Sequence, residues 1–156
     1  MPIIVDAIEI TDDEVHTEMQ YHPAVTLEVA RHKAAEALVI RQLLLQEAVK
    51  KQLLDSLEES TSEAQESAID ALLKQEIFVP VANEANCSRY YQQNQERFKD
   101  QKTGKLLPLE SVEKHIRDYL HARSLQAGIS QYIKVLSGKA RIAGFDLEGS
   151  DSPLVQ

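Results

Sequence analysis

Residues 24–57 read AVTLEVARHKAAEALVIRQLLLQEAVKKQLLDSL, and neither glycine nor proline occurs anywhere between Pro23 and Pro80. Glycine costs a helix interior about 1 kcal/mol and proline about 3 kcal/mol, so a tract free of both and rich in Ala, Leu, Glu, Gln, Lys and Arg favours helix. Leu27, Ala30, Ala34, Leu38, Leu45 and Ala48 fall mostly at three- and four-residue steps, with Ala37, Ile40 and Leu44 widening the stripe. That spacing marks one apolar helical face. Arg41 sits inside it, and its stem is expected to lie along the stripe while the guanidinium reaches water or an acid. An unbroken helix over this stretch would extend ~51 Å, whereas a compact chain of this size is roughly 39 Å across. The tract therefore either breaks near Gln46–Lys51, or the molecule is elongated and another polypeptide covers part of the stripe.

Upstream of this tract, Ile3 to Ile10 is dense in β-branched residues and reads as a short strand. Thr11-Asp12-Asp13-Glu14 is a capping-box pattern that opens a short helix to about Tyr21, closed by His22-Pro23. Downstream, Ser60 to Glu63 supplies cap chemistry, and Ala68, Ile69, Ala71, Leu72 and Leu73 predict a helix ending near Ile77, stopped by Val79-Pro80. Asn83-Glu84-Ala85 caps a short helix carrying Tyr90 and Tyr91, and a polar loop runs from Lys99 to Lys105. Pro108-Leu109-Glu110 opens the second long helix. Val112, Ile116, Tyr119, Leu120, Leu125, Ile129, Ile133 and Leu136 mark its apolar face as far as Gly138. Ala140 to Phe145 reads as a terminal strand pairing with the first one, and Gly149 to Gln156 as a mobile end. The expected fold is mainly α, with two long helices, shorter helices and a small two-stranded sheet from the N- and C-terminal segments. It is expected to form one domain over 1–147 (an N-terminal region, 1–98, a loop, 99–105, and a C-terminal region, 106–147), followed by a flexible tail, 148–156.

Composition narrows the function classes. The 156 residues are 43% hydrophobic and 27% charged, and 17 basic against 25 acidic side chains give a net charge of -8. A chain this long hides roughly 70% of its extended surface on folding, enough for a core without staples. The acidic balance argues against a nonspecific grip on phosphate backbones, so no nucleic acid is expected as partner. A lone cysteine, Cys87, makes neither an internal disulfide nor a zinc spacing, which points to a reducing compartment and a cytoplasmic location. Met1 to Asp6 shows no basic lead or apolar stretch of an export signal. The apolar runs are far short of the ~20 residues that cross a bilayer, so no membrane insertion is expected.

Catalytic signatures are sparse. The sequence holds no Gly-rich phosphate loop, nucleophile elbow or His-Glu-x-x-His pattern. His16, His22, His32, His115 and His121 include no pair at helical i, i+3 or i+4 spacing, so no metal site and no cofactor are expected. Acids at Asp12, Asp13 and Glu14 suit a helix dipole. Cys87, beside Ser88 and Arg89 with no base in view, reads as an inert thiol. Tyr90, Tyr91 and Phe98 either stack on a ligand or client peptide, or pin their short helix to the core.

Two stretches carry a resemblance. Arg41-Gln42-Leu43-Leu44-Leu45-Gln46-Glu47-Ala48 and Tyr90-Tyr91-Gln92-Gln93-Asn94-Gln95-Glu96-Arg97-Phe98 resemble the parvulin-type peptidyl-prolyl isomerases with SurA-like or PrsA-like helical chaperone segments, in their nitrogen-fixation accessory form. The segment from Leu107-Pro108-Leu109 through Gln131-Tyr132-Ile133 to Phe145 is similar to the region C-terminal to the catalytic domain in those proteins. The family places a parvulin domain after the equivalent of Phe98, whereas here only Lys99 to Lys105 intervene. A catalytic domain needs roughly a hundred residues, so no catalytic residue is carried over and no enzyme activity is expected. The resemblance implies chaperone-like binding of unfolded or maturing polypeptide. The alternatives are a helical homodimerisation or adaptor module, and residual prolyl isomerase activity. Leu43, Leu44, Tyr90, Tyr91, Phe98, Ile129 and Ile133 are the expected client-binding or dimer-interface residues, with a homodimer as the expected assembly.

Overall fold

Hydroxyl and amide side chains mark the helix starts much as the cap patterns require. The structure, a computed structural model, describes residues 2–147; the tail expected at 148–156 lies outside the described residues. Helix α1 spans Asp12–Glu18, and the Thr11 side chain and Glu14 close a reciprocal capping box at its start. A single 3₁₀ turn, Met19–Tyr21, follows. Helix α2, Leu27–Lys50, is capped by Thr26, whose hydroxyl accepts from the Val29 amide. Helix α3, Ser62–Glu76, is capped in the same way by Thr61. Helix α4, Glu84–Gln93, begins with a second reciprocal box between Asn83 and Asn86, and α5 runs Leu109–Lys139. The protein is mainly helical with a small antiparallel sheet.

That sheet has three strands where two were expected. Strands β1, Ile3–Val5, and β2, Ile8–Ile10, form a hairpin, and β3, Ile142–Ala143, pairs with the other edge of β1 to give the order β2-β1-β3. The single opening strand predicted from Ile3 to Ile10 is thus folded back on itself at Asp6-Ala7. Asp6 takes φ 55°, a left-handed conformation that Asp tolerates better than most residues. Its amide donates to the Arg141 carbonyl at 2.7 Å. Its carboxylate accepts from the Arg141 amide at 2.9 Å and from the Gln46 side chain at 2.8 Å.

The first long helix is also shorter than expected. It ends at Lys50, not Leu57, so of the two outcomes for this tract the chain takes the break. Gln52 adopts φ 63°, the Leu53 amide donates to the Ala48 carbonyl at 2.8 Å and the Gln52 amide to the Val49 carbonyl at 3.0 Å. This is the Schellman pattern, normally built on glycine.

The described residues divide into two compact units, one made of the chain through Ile77 together with the residues from Ile129 onward, the other of Phe78–Gly128. In the first, Val5, Ala34, Val39, Ala48 and Leu72 are completely buried, joined by Leu43, Leu44, Leu45, Ile133 and Leu136. Each buried Val, Leu or Ile side chain contributes about 2 kcal/mol by leaving water, and each alanine methyl about 0.8 kcal/mol. Arg41 reaches from α2 to Glu66 on α3 at 2.6 Å and to Gln65 at 3.2 Å, a solvent-exposed pair worth under ~1 kcal/mol. In the second unit, Cys87, Phe98 and Ile116 form the core, with Tyr90, Tyr91, Val112 and Leu120 packed around it. The polar loop 99–105 is a closed turn here. Lys99 and Leu106 form an antiparallel bridge, the Asp100 amide donates to Lys105 at 2.8 Å and the Leu107 amide to Phe98 at 2.8 Å.

Candidate functional site

The residues expected at a client or dimer surface divide by burial. Leu43, Leu44 and Ile133 are each 3% exposed and Phe98 is buried, so the chain's own cores cover all four. Ile129 is half-buried against the first unit's core, and Tyr90 and Tyr91 are half-buried against the second. Their rings are held by Phe98, which stacks on Tyr91 at 5.4 Å and meets Tyr90 edge-on at 6.1 Å. The Tyr91 hydroxyl donates to the Leu107 carbonyl. Both tyrosines therefore pin α4 while keeping part of each ring accessible. Cys87 is fully buried beneath them.

Exposed apolar side chains gather elsewhere. Before and at the first turn of α2, Tyr21, Val25, Leu27 and Val29 are exposed, Leu27 by 80%. Leu27 belongs to the stripe read from the sequence, but it precedes the stretch of α2 that packs into the core. The same end of α2 supplies Glu28, Arg31, His32 and Ala35, at i, i+3, i+4 and i+7 on one helical face, to a cleft of about 390 Å³. Asp12 and Val15 from α1, Ile3 from β1, and Gly144 and Phe145 beyond β3 complete its lining. The His32 and Phe145 rings stack at 5.1 Å. Gly144 sits at φ 79°, where a Cβ would run into the Pro2 carbonyl oxygen, so the backbone crosses there only because this residue is glycine.

Chemically, this cleft offers apolar walls in Ile3, Val15, Ala35 and Phe145, a cationic Arg31, and carboxylates at Asp12 and Glu28. Among the described residues, no hydroxyl, thiol or amine side chain lines it. An apolar floor with charges of both signs at the rim suits a polypeptide segment that buries a side chain and leaves polar neighbours in water. Sequence reasoning missed the cleft because its wall joins α2 to Gly144 and Phe145, more than a hundred positions away.

In the second unit, Phe78 and Val81 lie exposed in the extended stretch before α4. Tyr119 is 41% exposed, with its ring 5.4 Å from that of Tyr90. Arg97 donates to the Tyr90 hydroxyl at 2.9 Å. Hydrogen bonding to Tyr90, then to Arg97, and the charge of Arg123 hold the Tyr119 phenol below its ordinary value. Among the described residues, no group of three or more His, Cys, Asp or Glu is placed to hold a metal ion, and no helix is long and apolar enough to cross a membrane. Comparisons with protein-family models, curated proteins and solved structures find no match.

Proposed function

We propose that this chain is a chaperone-like module of the parvulin-related, SurA-like kind that binds unfolded or maturing polypeptide without covalent chemistry. The observation that carries the reading is the exposure of Val25, Leu27 and Val29 just before and within the first turn of α2, the same end of the helix whose Glu28, Arg31, His32 and Ala35 line the 390 Å³ cleft. Apolar side chains held in the open by a rigid helix start offer a client's greasy segments burial at little ordering cost. The resemblance of the Tyr90–Phe98 stretch adds support, as does the closed turn at 99–105. Its two ends are bridged side by side, the geometry at which domain insertions are tolerated, and it falls where the family carries its catalytic domain. The lone cysteine fits a reducing, cytoplasmic setting.

The test is light scattering from a chemically denatured client diluted into buffer. Near-stoichiometric chain should suppress aggregation, and the triple variant Val25→Ser, Leu27→Ser, Val29→Ser should need at least fivefold more protein for the same effect. No suppression, together with no binding of unfolded client, contradicts the reading. The same exposed residues favour a second reading, a homodimer that covers them mutually. Sedimentation separates the two: the triple variant dissociates a dimer but leaves a monomer unchanged.

A further inference from the structure

Charge is unevenly distributed along this acidic chain. Residues 78–128 carry eight basic and six acidic side chains, against nine and nineteen in the remainder. Within that basic unit, two arginines flank a pair of tyrosine hydroxyls. Arg97 donates to Tyr90 at 2.9 Å, and Tyr90 and Tyr119 lie ring to ring at 5.4 Å. Arg123 follows Tyr119 by one helical turn on α5, which puts the two on the same face. Of the acids nearby in sequence, Glu96 pairs with Lys99 at 2.8 Å, Glu113 with Arg117 at 3.1 Å, and Asp100 accepts from the Lys102 amide at 2.8 Å, while Asp118, next to Tyr119, is exposed to solvent. Neither Arg97 nor Arg123 has a carboxylate within ion-pair distance among the described residues. The guanidinium of Arg97 turns donors to Tyr90 and Tyr119 and, of its five N–H groups, keeps others for a ligand.

We infer that Tyr90, Arg97, Tyr119 and Arg123 form a carboxylate-binding site that takes acidic polypeptide segments, with the half-exposed tyrosine rings as the surface on which the segment's carbon chain lies. The inference rests on the polypeptide-binding reading for the nature of its ligand. Guanidinium groups pair well with carboxylates, and tyrosine hydroxyls supply further donors at the same spot. Hydrogen bonding from Tyr90 and then Arg97, with the charge of Arg123, also holds the Tyr119 phenol below its ordinary value, and the same groups would meet an incoming carboxylate. An acidic segment also fits a basic unit set in an otherwise acidic chain, since the remaining surface repels it and leaves this patch as the favoured landing point.

The experiment is calorimetric titration of the full chain at low salt with an octaglutamate peptide, with octalysine and inorganic phosphate as separate probes. The acidic peptide should bind, and the double variant Arg97→Gln, Arg123→Gln should weaken octaglutamate at least tenfold while leaving octalysine, which the acidic remainder of the chain attracts, no weaker. That variant should also shift the lowest tyrosine titration upward, read by ultraviolet absorbance. Unchanged affinity in the variant, no octaglutamate binding, or phosphate binding as tightly as the peptide would overturn the site. If aggregation suppression persists while octaglutamate fails, this patch alone is disproved. If suppression fails while octaglutamate still binds the arginine pair, the carboxylate site stands and the chaperone reading falls.

Discussion

Gln52 closes α2 in a left-handed conformation at φ 63°, which costs a side-chain-bearing residue about 1 kcal/mol that glycine avoids. Gln52→Gly should therefore raise the urea midpoint, by about 1 kcal/mol of stability, without shifting the helix end. Gly144 is the opposite case. Its φ is 79° and a Cβ there would clash with the backbone of Pro2, so Gly144→Ala should cost about 3 kcal/mol. Gly104, at φ 70° but with open space around it, should lose only about 1 kcal/mol on the same change. Tyr132 is pushed up to about 12 by burial, reinforced by the charges of Glu47 and Glu76, and its hydroxyl has no partner among the described residues. An unfolded tyrosine ionises near pH ~10, so the stability this group protects is complete below about pH 10 and lost as pH rises toward about 12. Tyr132→Phe should leave stability at neutral pH nearly unchanged and flatten the alkaline decline in a pH series of denaturation curves.

Among the packed helices, Leu72 on α3 is completely buried against α2. Leu72→Ala should cost about 3 kcal/mol, whereas Leu27→Ser, on the exposed first turn, should change stability by less than about 0.5 kcal/mol. Helix starts were readable because they rest on local chemistry: Thr11, Thr61 and Asn83 each bond an amide three residues on. Two chain reversals were not readable because non-glycine residues make them. Gln52 ends α2 with a residue type that gives no sign of a left-handed backbone, and Asp6, whose type does tolerate one, turns the β1–β2 hairpin inside a run of β-branched residues; tertiary bonds from Arg141 and Gln46 hold Asp6 in place. The terminal strand was expected over Ala140–Phe145 and paired with the opening segment; β3 does pair with β1, but over the two residues Ile142–Ala143 alone.

Across the chain as a whole, legibility fell with sequence separation. The mainly helical class follows from composition and spacing between Pro23 and Pro80, but the cleft requires His32 beside Phe145 and the arginine patch requires Arg97 beside Tyr119, contacts created by folding alone. Apolar spacing also cannot tell a covered position from an open one. Leu44 and Leu27 share the stripe, yet the first is sealed in the core and the second stands in water, because α2 enters the core from Ala34 onward. The exposed start of α2 thus carries the functional account, and its occupancy by client can be observed directly. Hydroxyl-radical footprinting of the chain with and without a permanently unfolded client should show Val25, Leu27 and Val29 protected at least threefold, with Phe78 and Val81 as internal references. Equal labelling of the α2 residues in the presence of saturating client would contradict it.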